Sequence, residues 1–153
     1  MFRKAFIFED CWTTRRDILT RGFPVDTDFC VASTWNDAIS LLEKDWQSFD
    51  LFMLDHDISH INPECKSENH DAEWGICPDC VVIDKSGHDL AKLIVQLGIG
   101  KGKIFLIHSD NPSGRDNISH TLNCGNRIVV PCGVREIRVT IPNLFTVLSQ
   151  LKV

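Results

Sequence analysis

The stretch FDLFMLDHD, residues 49–57, changes from apolar to polar at Asp55. Its apolar half is typical of a strand that is buried on both faces of a sheet. Two further apolar runs, Lys4–Phe8 and Lys103–Ile107, also end at polar side chains. Three strands that end alike predict a sheet whose polar groups collect at one edge.

Helical patterns lie between these apolar runs, and strands that alternate with helices indicate an α/β fold with a parallel sheet and right-handed crossovers. The predicted strands are residues 4–8, 28–32, 49–54, 103–107 and 127–130, and Arg135–Ile141 is expected to be a strand or an extended link. The predicted helices are residues 13–21, an amphipathic helix capped by Ser33 or Thr34, residues 87–97, residues 113–122, and a last helix through Leu151 with Pro142 in its first turn.

Composition narrows the functional classes. The chain has 153 residues, 43% hydrophobic and 24% charged, which predicts one domain over residues 1–153. A net charge of −5 gives no global basic field, so duplex DNA is not an expected partner. No apolar run is long enough to cross a membrane, and the N-terminus lacks the pattern of a signal peptide. Seven cysteines without an export signal favour reduced thiols or metal ligands and a cytoplasmic location.

Three strand ends carry side chains that can bind a cation or move a proton: Glu9-Asp10, Asp55-His56-Asp57 and His108-Ser109. In open parallel sheets, ligands bind outside the carboxyl ends of the strands, where the strand order reverses. If these three strands are neighbours, their carboxylates converge, and Mg²⁺ or Mn²⁺ would relieve the repulsion between them. The alternative is that each aspartate only caps the helix that follows it.

Glu9, Asp10 and Asp55 resemble the acidic pocket of response-regulator receiver domains. That resemblance implies that the acid pair binds Mg²⁺ and that Asp55 can accept a phosphoryl group. Receivers also carry a lysine before a proline after the fifth strand, whereas here Val130 precedes Pro131.

A narrower resemblance rests on two motifs. Leu54-Asp55-His56-Asp57 and His108-Ser109-Asp110-Asn111-Pro112-Ser113-Gly114 are similar to motifs of the cyclic-phosphate-processing receiver-like domains. The resemblance implies a flavodoxin-like three-layer sandwich with five parallel strands in the order 2-1-3-4-5. It also implies hydrolysis of a cyclic phosphate, of the 2′,3′ type or at an RNA end, so the expected partner is the phosphate of a nucleotide or of an RNA end.

The residues suit that chemistry, which needs an activated water, a proton for the leaving oxygen and stabilisation of charge on the phosphate. The predicted catalytic residues are Asp55, His56 and His108, with Glu9, Asp10 and Asp55 as ligands of Mg²⁺ or Mn²⁺. The predicted phosphate-binding groups are Ser109, Asn111 and the backbone N–H groups of Ser113 and Gly114. For each histidine the alternative is a structural hydrogen bond to a neighbouring aspartate. Two alternatives stay open for His88, which can face the crevice or the solvent. Two also stay open for Arg115, which can bind a phosphate or remain a solvated helix charge.

Residues 59–82 form a polar insertion without periodicity. Cys77-Pro78-Asp79-Cys80 has the spacing of a zinc knuckle, and Cys65 and His70 complete four ligands, with His60 as the alternative to His70. A closed set of four ligands predicts a structural Zn²⁺; the alternatives are free thiols or a redox pair. Cys11, beside the acid pair, is expected to be buried rather than reactive.

The sequence thus favours a metal-assisted phosphoesterase. Two other functions stay open: a signalling receiver that is phosphorylated at Asp55 or binds a partner, and a protein that binds a nucleotide without turnover. The missing lysine before Pro131 argues against ordinary phosphotransfer. The sequence gives no oligomeric state.

Overall fold

A computed structural model describes residues 3–58, 60–61, 81–82, 85–124 and 126–151. Its strands are β1 Lys4–Phe8, β2 Asp28–Ala32, β3 Leu51–Leu54, β4 His60–Ile61, β5 Val81–Val82, β6 Ile104–His108 and β7 Ile128–Cys132. Its helices are α1 Trp12–Leu19, α2 Trp35–Asp45, α3 Gly87–Gln96, α4 Pro112–Leu122 and α5 Ile137–Leu151, with short 3-10 helices at Trp46–Ser48 and Val134–Glu136.

The central sheet has five parallel strands in the order β2-β1-β3-β6-β7. This is the predicted order 2-1-3-4-5, with β6 and β7 as the fourth and fifth strands, and the flavodoxin-like receiver fold is confirmed. Alternate strand residues face opposite sides, so two apolar layers cover the sheet. One layer packs on α2, α3 and α4, and the other packs on α1 and α5.

The strand register sets the position of the polar strand ends. Phe8 is paired with Leu54, and Leu54 is paired with Ile107. The residues that come next on these three adjacent strands are therefore Glu9, Asp55 and His108. Phe52 and Phe105 stack across β3 and β6 with ring centroids 4.7 Å apart, which fills the core beneath this edge.

The C-terminal region differs from the prediction. The expected strand or link at Arg135–Ile141 is wrong, because a 3-10 turn leads directly into α5 at Ile137. Pro142 lies inside α5 rather than in its first turn. Ile137 and Ile141 are four residues apart and both fully buried, so helical spacing outweighs the strand preference of this β-branched segment.

The insertion begins and ends at a short antiparallel pair. His60 in β4 is opposite Val82 in β5, and Ile61 is opposite Val81. The predicted zinc ligands Cys65, His70, Cys77 and Cys80 lie outside the described residues, so the zinc site and the 59–82 boundary stay predictions. Within the described ranges, no helix combines the length and hydrophobicity that crossing a membrane requires.

Candidate functional site

Three fully buried polar residues lie side by side at the carboxyl edge of the sheet. Glu9 and His108 have no exposed surface, and Asp55 is 2% exposed. Their backbones are fixed by the sheet, since the N–H of Glu9 donates to Ala32 and the N–H of Asp55 donates to Phe8. Two carboxylates this deeply buried need a cation or a proton between them.

Arg15 supplies that cation. Its Nη1 donates to Glu9 Oε2 at 3.3 Å and to Asp55 Oδ2 at 3.0 Å. Sequence reasoning missed this residue, although it lies one helical turn before the buried Leu19 on α1 and so on the same side of the helix. A basic residue on the inward side of the helix after β1 is the signal that could have found it.

The pKa values reflect this arrangement. Burial raises the pKa of Asp55, and the nearby charge of Glu9 raises it further, while His108 and Arg15 oppose the shift. Burial works against the charge of Arg15, yet Glu9 and Asp55 raise its pKa above the ordinary value. The ionised Asp55 is therefore costly without a positive neighbour.

His108 contacts the same oxygen of Glu9 as Arg15 does. Its Nε2 lies 3.3 Å from Glu9 Oε2, and its buried Nδ1 has no hydrogen-bond partner among the described residues. A buried lone pair costs less than a buried N–H without a partner, so we assign the proton to Nε2, which donates to Glu9. The ring of His108 is fully buried in contact with Glu9.

His56 has a different environment. Its Nδ1 lies 2.6 Å from Asp57 Oδ1, and its side chain is 21% exposed. Because an ionised carboxylate can only accept, we assign a proton to Nδ1. Asn111 Nδ2 also donates to Asp57 Oδ1, at 3.4 Å. With Nδ1 held by a carboxylate, Nε2 carries the lone pair and can accept a proton. The arrangement is a histidine–aspartate pair next to the buried carboxylates.

Asp55 joins the two halves of the site. Its Oδ1 accepts from the backbone N–H of His56 at 2.7 Å, while its Oδ2 accepts from Arg15. The two predicted histidines therefore have distinct contacts: His108 contacts Glu9, and His56 contacts Asp57.

Two glycines allow helices to approach this turn. A Cβ on Gly87 would lie 1.8 Å from the carbonyl oxygen of Asp55, and a Cβ on Gly114 would lie 2.3 Å from Cγ of His56. A side chain at Gly87 would require the backbone to move, and one at Gly114 would require the His56 ring or the backbone to move. The starts of α3 and α4 thus close around His56, a role for these glycines that sequence reasoning did not identify.

The predicted phosphate-binding residues make local contacts around the start of α4. Ser109 is buried, and its Oγ accepts from the N–H of Asn111 at 3.2 Å. Asn111 Oδ1 accepts from the N–H of Gly114 at 2.9 Å, so that N–H is already used in a helix cap. Ser113 is exposed in the first turn of α4. Arg115 donates to the carbonyl of Ser109 at 2.8 Å.

Asp10 and Cys11 extend the acidic site toward solvent. Ligand atoms of Glu9, Asp10 and Cys11 all lie within 4.8 Å of one another. Cys11 is exposed, so the expectation that it is buried is wrong; it lies at the start of α1, outside the strand core. Partial burial is the main cause that raises the pKa of the Cys11 thiol to about 11, and the nearby charge of Asp10 is the second. Cys11 is therefore a thiol rather than a thiolate at neutral pH.

His88 is partly buried and contacts the neighbouring helix α4. Its Nε2 lies 3.0 Å from the hydroxyl of Thr121 on α4, and burial lowers its pKa. This contact ties α3 to α4 beside the two glycines, which makes His88 part of the support of the site.

Comparison with known proteins places these features in context. The family model "Cyclic-phosphate processing Receiver domain" matches residues 8–124, which include both motifs. No curated protein matches the chain in sequence.

Solved structures show the same fold. The receiver domain of Francisella response regulator 1452 is 15% identical, with a TM-score of 0.55, over 95% of this chain and 98% of that one. A CheY-like receiver domain from Methanospirillum hungatei is 14% identical, with a TM-score of 0.53, over 98% of both chains. A response regulator receiver domain from Clostridium thermocellum is 14% identical, with a TM-score of 0.52, over 97% of this chain and 98% of that one. The fold, the two motifs and the family match together establish that the chain belongs to the cyclic-phosphate processing Receiver domain family.

Proposed function

We propose that this protein is a metal-assisted phosphoesterase that opens a cyclic phosphate, of the 2′,3′ type, or removes a terminal phosphate from a nucleotide or an RNA end. The observation that carries the proposal is the His56–Asp57 pair next to the buried carboxylates Glu9 and Asp55. A group that can move a proton thus lies beside a group that can hold a cation. The family's description points to the same substrate class.

Two of the three proposed ligands, Glu9 and Asp55, lie around one positive charge, whereas Asp10 groups with Glu9 and Cys11 among the described residues. Glu9 Oε2 and Asp55 Oδ2 already share one positive group, the Nη1 of Arg15, so their oxygens are placed to face a common cation. In the proposal, Glu9, Asp10 and Asp55 hold Mg²⁺ or Mn²⁺, both of which prefer oxygen ligands. When bound, the ion supplies positive charge to the phosphate oxygens.

His56 moves the proton in this mechanism. Its Nε2 takes a proton from the attacking water as the new P–O bond forms. The imidazolium, held by Asp57, then gives that proton to the oxygen that leaves phosphorus as the ring P–O bond breaks. One water is consumed, and a phosphomonoester with a free hydroxyl is formed. His108, fully buried, keeps Glu9 oriented rather than exchanging protons with the substrate.

The exposed start of α4 lies next to His56. In the proposal the backbone N–H of Ser113 binds a phosphate oxygen, while Ser109 and Asn111 hold the loop in place.

The test is turnover of nucleoside 2′,3′-cyclic phosphates with and without Mg²⁺ or Mn²⁺, followed by phosphorus NMR. We expect H56A and D55N to lose at least about 100-fold in rate, the usual worth of a proton-transfer group. H120A, which removes an exposed histidine near the end of α4, is the matched control and should keep the wild-type rate. Folded protein that gives no metal-dependent ring opening would contradict the proposal.

A signalling receiver is the second candidate, because Asp55 ends β3 inside the acidic pocket. Acetyl phosphate or BeF₃⁻ should then modify or bind Asp55 in the wild type and leave D55N unchanged. Tight nucleotide binding without turnover would instead indicate a sensing protein.

We further propose that Cys65, His70, Cys77 and Cys80 bind one structural Zn²⁺, with His60 as the alternative to His70. The pairing of β4 with β5 supports this, because it brings the two ends of the insertion together. Metal analysis of protein purified without added zinc should give about one Zn²⁺ per chain, and replacing Cys77 and Cys80 by serine should abolish it.

A further inference from the structure

Arg15 holds the two buried carboxylates through a single nitrogen. Both ion pairs, to Glu9 and to Asp55, use Nη1, and no hydrogen bond of its Nη2 or Nε occurs within the described part of the chain. The side chain is 31% exposed, whereas its partners are almost completely buried. The guanidinium therefore closes the acidic pocket from the solvent side.

We propose that Arg15 is an exchangeable internal cation: a divalent ion displaces it from Glu9 and Asp55, and the released guanidinium then binds the substrate phosphate. The first half concerns the apo protein and its metal affinity alone. The second half rests on the proposed phosphoesterase function and deepens it by naming a residue that binds the phosphate.

Geometry makes the two cations mutually exclusive. Nη1 lies 3.3 Å from Glu9 Oε2 and 3.0 Å from Asp55 Oδ2. An ion such as Mg²⁺ needs its oxygen ligands at about 2.1 Å and would have to occupy the space between the same two oxygens. A guanidinium nitrogen cannot remain there, since both sterics and charge oppose it.

The released side chain is suited to a phosphate. Arginine binds phosphate through two parallel N–H bonds, and among the described residues Arg15 makes its side-chain hydrogen bonds through Nη1 alone. Its anchor on α1 keeps it at the mouth of the pocket, because Leu19, one turn further along, is fully buried.

Arg16 provides a matched control. It is the next residue of α1, is exposed, and forms no ion pair with any residue that the structure describes. R15Q and R16Q therefore remove the same charge from the same helix, but only R15Q removes a group from the carboxylates.

The first experiment measures Mn²⁺ binding by electron paramagnetic resonance of the free ion. We expect R15Q to bind Mn²⁺ at least tenfold more tightly than the wild type, and R16Q to stay within twofold. Equal affinities of R15Q and wild type, or weaker binding by R15Q, would overturn the proposal. The readout does not depend on turnover, so it stands apart from the phosphoesterase hypothesis.

The second experiment measures binding of inorganic phosphate by calorimetry at saturating Mn²⁺. R15Q should bind phosphate at least tenfold more weakly than the wild type, while R16Q should not. R15K keeps the positive charge but lacks the two parallel N–H groups of a guanidinium. It should retain wild-type Mn²⁺ affinity within threefold and still bind phosphate more weakly. R15K also serves as the test if R15Q fails to fold without metal. If R15Q and R15K both bind phosphate like the wild type, Arg15 does not bind phosphate.

Discussion

The ring of His56 is held by two different contacts, one a hydrogen bond and the other steric. Asp57 holds its Nδ1 through a hydrogen bond to a carboxylate, and Gly114 approaches so closely that a Cβ there would lie 2.3 Å from Cγ of the ring. The first contact follows from adjacent residues and is visible in the sequence. The second depends on how closely α4 approaches the end of β3, which no local pattern encodes. Arg15 was missed for the same reason, because its partners come from two different strands.

The Gly114 contact predicts a strong effect of one methyl group. G114A should displace His56, lowering the rate of cyclic-phosphate turnover at least tenfold and the free energy of unfolding by about 1–3 kcal/mol. Urea unfolding and steady-state kinetics measure the two effects. G133A is the control, because a Cβ there would meet its neighbours at an ordinary 3.5 Å. Equal stability and activity of G114A and wild type would show that the ring can move without consequence.

Burial of Asp55 predicts a pH dependence of stability. Because its folded pKa is raised, the folded state holds the proton more tightly than the unfolded state, and Asp55 destabilises the metal-free fold as pH rises above its ordinary value near 4. D55N should therefore be more stable than the wild type at pH 7 in EDTA, with the difference shrinking toward pH 4. Urea titrations between pH 4 and 8 measure this, and a D55N protein less stable at pH 7 would contradict the sign.

At the scale of elements, the five central strands and four of the helices follow from apolar runs and caps. The hydroxyl of Thr34, for example, caps α2 by accepting from the backbone N–H of Asp37, as its sequence position suggests. The last helix was predicted through Leu151, but its first five residues were not, because Ile137, Val139 and Ile141 favour a strand locally. Burial of Ile137 and Ile141 against the sheet decides the outcome, and that is a tertiary effect.

Two carboxylates accept backbone N–H groups at the start of this last helical segment, Asp110 from Val134 at 3.3 Å and Glu136 from Gly133. Glu136 Oε2 accepts from the backbone N–H of Gly133 at 2.7 Å. E136A should lower the free energy of unfolding by about 0.5–2 kcal/mol, the usual worth of a cap. E43A, an exposed glutamate within α2, should change it by less than about 0.5 kcal/mol. Equal effects in urea unfolding would mean that the Glu136 contact does not stabilise the segment.

At the scale of the whole molecule, the site forms only when the sheet is assembled. His108 and Glu9 are 99 residues apart in sequence, and Arg15 and Asp55 are 40 apart. The sequence could predict this convergence because parallel strands share one carboxyl edge. The sequence analysis did not identify the side chain that neutralises the carboxylates, since which basic residue of α1 reaches them depends on how α1 packs.

The insertion is predicted to be dispensable for the sheet. Because Ile61 pairs with Val81, an Asn-Gly link in place of residues 62–80 would close an ordinary two-residue hairpin. The shortened protein should unfold within about 5 °C of the wild type and bind no zinc. Calorimetry and metal analysis measure both, and failure of the shortened chain to fold would show that the insertion supports the core.

The β4–β5 pair also bears on how such a protein can diversify. An insertion whose two ends leave the body side by side can lengthen, shorten or be exchanged as a cassette, since the strand register beneath it is unaffected. Natural variation among relatives should therefore concentrate beyond this pair, while the spacing from Asp55 to β4 and from β5 to Gly87 stays nearly constant. The β4–β5 pair thus separates two parts of the chain. The insertion beyond it is free to acquire new partners, whereas the sheet and its polar edge must keep their chemistry.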